Sequence, residues 1–258
     1  HVSVWLGGPS AVRVDAVARR WWFDEGGGTS DPLVLPADTL QLDATAAYTF
    51  WRLDGDPLGD VRTRFARVRG LAFGVSATAT VRPDAAPWGA LDAASFDPVD
   101  ASNDPSTTVL RTRAWLRSGS QLAPGLRWQT AHAAAFGVGE DDITGDRLGG
   151  LNPYVVPIAG QAWASWVSSR YVAASWSWHV ALRRAHEAGL QLDGALVDDI
   201  GRTGTSNADA LFGAAVFADL RFGGLQIDAR LGASPARGAA PASASAPVAV
   251  GYAQTWRR

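Results

Sequence analysis

The stretch Val172-Ala173-Ala174-Ser175-Trp176-Ser177-Trp178-His179-Val180-Ala181-Leu182-Arg183 alternates strictly between two faces. Val172, Ala174, Trp176, Trp178, Val180 and Leu182 fall on one face; Ala173, Ser175, Ser177, His179, Ala181 and Arg183 fall on the other. A period of two marks a β-strand, because successive side chains of an extended chain point to opposite sides. The alternation recurs along the sequence, with no long apolar run. Across the segments one face carries Arg, Asp and Gln, and the other Leu, Val, Phe and Trp. That is the pattern of strands with lipid outside and a wet or ion-paired lumen inside. The expected fold is all-β: an antiparallel up-and-down transmembrane barrel of about ten to twelve strands, one domain over residues 1–258.

The other strands are read in the same way. Val12 to Trp22 turns Val12, Val14, Ala16 and Ala18 outward and Arg13, Asp15 and Arg19 inward. Thr39 to Trp51 sets Leu40, Leu42, Ala44, Ala46, Tyr48 and Phe50 against Gln41, Asp43, Thr45 and Thr49. Leu71 to Val81 follows, then Thr108 to Arg117 with Arg111, Arg113 and Arg117 inward, and Leu126 to Val138 with Arg127 and Gln129 inward. After a long connection come 170–183, then 189–197 with Gln191 and Asp193 inward. Next come 210–222 with Asp219 and Arg221 inward, 225–231 with Gln226, Asp228 and Arg230 inward, and 247–257.

The connections alternate in length. Residues 23–38, 83–106, 139–169, 198–208 and 232–246 are long and rich in Gly, Pro, Ser and Asp. Residues 52–60, 118–125, 184–188 and the pair Gly223-Gly224 are shorter. Outer-membrane barrels have short periplasmic turns and longer external loops, so both chain ends are placed on the periplasmic side. Trp21, Trp22 and Phe23 at one strand end, and Phe50 and Trp51 at another, suit the membrane interfaces that amphipathic rings prefer.

Composition sets further limits. The chain has 258 residues, 12 Trp, 28 Gly, 14 Pro and no Cys or Met, and all 23 basic residues are Arg. Without Cys there is no disulfide framework and no thiolate metal site or nucleophile. A net charge of −2 argues against a nucleic-acid partner. No stretch approaches the ~20 apolar residues a spanning helix needs, whereas a barrel strand needs only about 9–11 residues. The start at His1 fits a processed chain or a fragment.

The long connection contains Gly145-Asp146-Arg147-Leu148-Gly149-Gly150-Leu151-Asn152-Pro153-Tyr154, then Pro157 to Gly160. This layout over residues 125–258 resembles the barrels of the outer-membrane assembly superfamily, of the BamA and TamA type, in which a Gly-Gly segment leads into a long loop before the final strands. The resemblance implies a barrel that aids protein insertion or translocation. The Arg-Gly-aromatic tip of that family's loop does not follow Gly150, so no insertase residue is carried across.

The inward charges Arg13, Asp15, Arg19, Asp43, Arg111, Arg113, Arg127, Asp193, Asp219, Arg221, Asp228 and Arg230 are the expected lumen lining. They either pair into a closed polar core or line a narrow path whose arginines favour anions. The loop 140–169 is expected to fold back over or into the barrel. Gly149 and Gly150 allow a sharp entry, Pro153 limits strand pairing, and Tyr154 is among its many apolar residues.

His132 is expected outward, His179 inward and His186 in a turn; none has metal-ligand spacing. The acidic groups Glu140-Asp141-Asp142 and Asp198-Asp199 read as solvated loop charge rather than calcium sites. Ser177 and His179 form the one Ser–His pair two residues apart inside a strand, but they face away from the lipid, so no enzyme is expected. No cofactor and no metal are expected. The partners are outer-membrane lipid and other envelope proteins, and the location is the bacterial outer membrane. The leading function is a passive pore or a membrane anchor for partners. A soluble all-β carbohydrate-binding module, its Trp residues stacking on sugars, is the alternative from another class.

Overall fold

A computed structural model describes residues 2–5, 9–24, 33–53, 70–90, 105–141, 144–148, 158, 166–183, 186–199, 208–222, 225–233 and 248–254. Fourteen strands occur among them. They are β1 (Val2–Trp5), β2 (Ser10–Trp21), β3 (Leu33–Val34), β4 (Thr39–Leu53), β5 (Gly70–Val81), β6 (Gly89–Ala90) and β7 (Thr108–Ala123). There follow β8 (Leu126–Val138), β9 (Asp146–Leu148), β10 (Trp166–Arg183), β11 (His186–Asp199), β12 (Ala208–Phe222), β13 (Leu225–Ala233) and β14 (Val248–Gln254).

The strands form one antiparallel sheet in the order β1-β2-β4-β5-β7-β8-β10-β11-β12-β13-β14, with β9 added beside β10. A small second sheet joins β3 to β6, bridging two of the long connections. Each main strand thus pairs with its chain neighbours, the up-and-down arrangement that the alternating sequence implies. β1 and β14 stand at the two ends of the order. No pairing joins them among the described residues, so the sheet is not closed.

Several boundaries differ from the sequence reading. β7 continues to Ala123, leaving Pro124 and Gly125 as the turn, where 118–125 reads as a connection. Gly125 has φ +78°, a left-handed value that a side chain resists, and its carbonyl accepts from the Ala181 N–H at 2.7 Å. β11 begins at His186, so 186–188 belong to a strand rather than to a turn. Ala188 and Gly189 are short enough to sit opposite Val180 and His179 and extend the pairing. β1 and β9 are additions that are too short for periodicity to reveal. Residues 54–69, including the Arg-rich approach to β5, lie outside the described residues.

The two faces of the sheet are inverted relative to a water-soluble protein. Large apolar side chains are exposed on one face: Val14, Leu42, Val75, Leu110, Phe136, Val172, Trp176, Leu192, Phe212 and Val216 among them. Val172 keeps 61% of its surface and Phe212 59%. The opposite face is buried and holds Gln41, Thr80, Arg127, Gln129, His179, Glu187, Gln191 and Asp193 among small or apolar residues such as Ala72, Ala173 and Ala215. Water would drive the opposite arrangement, because each buried Leu or Phe contributes about 1.5–3 kcal/mol.

Candidate functional site

Polar groups on the inner face occur in three groups, each positioned by strand register. The first spans β2, β4 and β5. Arg19 pairs with Asp43 across two strands at 2.9 Å, and Asp43 also accepts from Thr80 Oγ1 at 2.6 Å and from Gln41 Nε2. Trp21 Nε1 donates to Gln41 Oε1 at 2.9 Å. Arg13 pairs with Asp15 along its own strand at 2.7 Å. Trp115, on the inner face of β7, lies over Gly74; a Cβ there would come within 2.6 Å of the indole nitrogen. Alternation alone places Trp115 inward, but its packing on a glycine of the neighbouring strand has no signal in the sequence.

The second group lies at the long-loop end. Arg111 pairs with Glu140, and Arg113 holds Asp146 with two donors, its Nε lying 2.9 Å from Oδ2. Gly137 stands opposite Arg111, and a side chain there would occupy the space of the Glu140 carboxyl. Burial lifts the Glu140 carboxyl to about 7, against the opposing pull of the Arg111 guanidinium. Farther along, the fully buried Leu148 and Ile158 pack with Ala135, Tyr171, Ala173, Ala195, Val197 and Leu211 of the inner face. Gly149, Gly150, Pro153 and Tyr154 lie outside the described residues.

Asp141 turns back on Thr144, accepting from its N–H at 3.0 Å and from its hydroxyl at 2.8 Å. It also pairs with Arg82. Glu140 and Asp141 are therefore buried partners of arginines rather than solvated loop charge, and neither is left for a cation. Among the described residues no group of three or more His, Asp or Glu is arranged to hold a metal.

The third group lies at the short-turn end, on β8, β10 and β11. Arg127 Nη2 donates to Glu187 Oε2 at 2.6 Å and lies 3.1 Å from His179 Nδ1. His179 Nε2 lies 2.9 Å from Ser177 Oγ, and Nδ1 lies 3.5 Å from Glu187 Oε2. The Phe217 ring meets the imidazole edge-on with 4.7 Å between centroids. Gly189, opposite His179, makes room for this approach, since any Cβ there would collide with Phe217. Next to this group, Gln191 donates to both carboxylate oxygens of the buried Asp193 at 2.8 Å.

The described side chains Arg13, Asp15, Arg19, Asp43, Arg111, Arg113, Arg127 and Asp193 thus share the inner face but not one centre. Arg111 and Arg113 meet at the loop end, while Arg127 lies at the opposite end. Asp219, Arg221, Asp228 and Arg230 hold register positions opposite Asp228, Gln226, Asp219 and Phe217. His132 packs against Trp176 with ring centroids 5.8 Å apart, and Trp176 is one of the exposed apolar residues. Glu187 is a residue that sequence reading missed, and Glu140 is one whose role it misjudged as solvated loop charge. Both sit in stretches read as connections, where no periodicity assigns a face.

Comparison with family models and with curated proteins finds no match to this chain. Nothing in these comparisons indicates a relationship to assembly-type barrels.

Proposed function

We propose that the chain is an outer-membrane β-barrel whose lumen is self-paired and capped at the long-loop end, serving as a membrane anchor for envelope partners rather than as an open pore. The inverted surface carries this reading. A continuous apolar face this large is unfavourable in water and expected in lipid. A shallow apolar groove of about 750 Å³ crosses that face between Val172, Trp176, Leu192, Leu196 and Phe212, a shape suited to acyl chains. Closure follows from the same setting, because unpaired strand edges are costly in a bilayer. Burial of Gln191, Asp193 and Ala215 on the other face is in keeping with a sheet that curves around its own interior. Leu148 and Ile158, packed on that face, favour a capped lumen over an open one.

The test has two stages. Purified protein is expected to need detergent and to migrate differently on gels before and after boiling; a monodisperse sample in plain buffer would overturn the membrane reading. In a planar bilayer no steady current is expected. A steady current whose ion selectivity changes on replacing Arg111 and Arg113 would establish a pore instead.

A further inference from the structure

We infer that the apolar face holds one two-chain phospholipid with an ethanolamine-type head: phosphate on Arg170, ammonium on Asp198, and acyl chains in two grooves that meet at Val172. The inference rests on the membrane reading and names a lipid for it.

The head site is a pair of opposite charges that do not meet. Arg170 and Asp198 stand opposite each other on β10 and β11. Both fall on the outward parity, next to Val172 and Leu196, which keep 61% and 59% of their surface. The Arg170 guanidinium carbon lies 4.8 Å from the centroid of the Phe136 ring on β8, so the cation leans away from β11. Neither Arg170 nor Asp198 makes an ion pair among the described residues. Exposed Arg170 and half-buried Asp198 thus present a cation and an anion side by side. Their complement is a zwitterion, whose phosphate accepts from the guanidinium and whose primary ammonium donates to the carboxylate.

The depth suits a headgroup. Trp178 stands opposite Trp128, and Arg170 stands opposite Phe136 eight residues away along β10. At about 3.3 Å per residue, that separation is about 26 Å along the strand. A tilt of about 40° makes it about 20 Å along the bilayer normal, against an apolar band about 25 Å tall. With the Trp128–Trp178 pair at the interface near the short turns, Arg170 and Asp198 reach the opposite interface, where headgroups lie.

The grooves begin one outward residue below the charges. The groove of about 750 Å³ runs from Val172 and Leu196 over Gly194 to Trp176 and Phe212. A second, of about 620 Å³, is lined by Val172, Phe136, Ala134, Ala114 and Ala77. Val172 is the ridge common to both, and Phe136 also carries the Arg170 cation. Two chains from one head therefore have a slot each. A single-chain amphiphile would leave one slot empty, and a wholly apolar partner segment would leave both charges unmatched.

The full chain, purified in detergent micelles and stripped of lipid, is titrated with phosphatidylethanolamine, phosphatidylcholine and phosphatidylglycerol of identical acyl chains. Retained lipid is counted by native mass spectrometry. One bound phosphatidylethanolamine is expected, at least ~10-fold tighter than either competitor, about the effect of one hydrogen bond to a charged group. Choline has no N–H to donate, and glycerol carries no cation. Asp198→Asn is expected to erase that preference, and Arg170→Gln to weaken all three lipids by a similar factor. Gly194→Leu tests the groove: a Cβ there meets the Phe212 ring at 3.7 Å, an ordinary contact, so the strand accommodates a side chain that fills the slot. All three lipids should then bind more weakly. Water-soluble phosphoethanolamine, a head without chains, should not displace the lipid. Displacement by it, or unchanged binding in Gly194→Leu, would take the grooves out of the site and overturn the inference. Folding of each variant is judged by its gel shift on boiling. A chain that folds in detergent but retains the three lipids equally, or keeps its preference in Asp198→Asn, overturns the inference and leaves the membrane reading intact. A chain monodisperse in plain buffer overturns both.

Discussion

Arg82 and Asp141 are 59 residues apart in sequence, yet Arg82 Nη1 lies 2.9 Å from Asp141 Oδ2 with their side chains 2% and 1% exposed. The pair joins the connection that follows β5 to the one that follows β8. The remaining Arg82 bonds fit this role: Nη2 donates to Ser106 O at 3.2 Å, and the backbone N–H to Thr107 O at 2.8 Å. Removing one partner leaves a buried charge without its counterion, which typically costs about 3–5 kcal/mol. Asp141→Ala is therefore expected to lower the unfolding free energy by that amount, read from the fall in denaturant midpoint, and to speed protease cleavage within 142–165. Arg82→Met combined with Asp141→Leu should recover much of the loss, because no unpaired charge remains. Equal losses in the single and double variants would show that the pair carries no coupling.

Val172 allows a sharp choice of solvent. It is 61% exposed and lies on the apolar face. In water, Val172→Arg at so exposed a position would change stability by no more than about 0.5 kcal/mol. In a bilayer the same change near the midplane costs about 2–4 kcal/mol. Equilibrium folding into phospholipid vesicles is expected to show the larger figure. A negligible effect there would place this face outside the hydrocarbon.

Gly74 and Trp115 form a steric pair. Gly74→Ala puts a methyl group 2.6–2.9 Å from three indole atoms, so the ring or the β5–β7 pairing must shift. Overpacking of this kind usually costs about 1–3 kcal/mol. Gly74→Ala in a Trp115→Ala background should cost much less. A double-mutant cycle from denaturant unfolding measures the difference, and additive losses would contradict the contact.

Glu140 gives a pH dependence whose sign follows from its raised carboxyl. The ordinary value is 4.5 and the folded value about 7, so the folded state holds the proton more tightly than the unfolded state. The contribution of this group is fully present below 4.5 and is lost as pH rises through 7. Thermal unfolding of the parent chain should therefore show falling stability across that window. Glu140→Gln should flatten the profile and gain most over the parent at alkaline pH. A parent whose stability rises between these limits while the variant stays flat would reverse the sign and show that the Arg111 pairing outweighs burial.

How far the sequence carries the fold depends on whether a residue lies in a long alternating segment. Val172 to Leu182 and Leu71 to Val81 alternate for long enough that face and pairing follow from period alone, and the exposure of Val172, Val75 and Val81 agrees. Ends are less legible, because period does not say where a turn is cheapest. Ser118 to Ala123 looks like a connection until Gly125 is seen to supply the left-handed turn. Long-range partners are the least legible. Arg113 of β7 meets Asp146 of β9, and Arg127 of β8 meets Glu187 of β11 across the intervening β10, only because the folded sheet brings these strands within reach of one another. No local spacing encodes either meeting. The inner position of Leu211 and Phe217 runs against the polar-inside rule, since both are large apolar residues and both are buried.

The neighbour-to-neighbour strand order bears on how the molecule assembles. In the main sheet the pairings among the described residues join consecutive long strands, so each closes a loop no longer than a single connection, while the short β3–β6 pair reaches across β4 and β5. The entropy of closing such loops grows only slowly with length, and low contact order speeds folding. Hairpins such as β7–β8 and β10–β11 are then able to form independently and zip outward from β10. By the same reasoning, a chain cut within 200–207 should yield two fragments, each with complete hairpins, that reassemble when mixed.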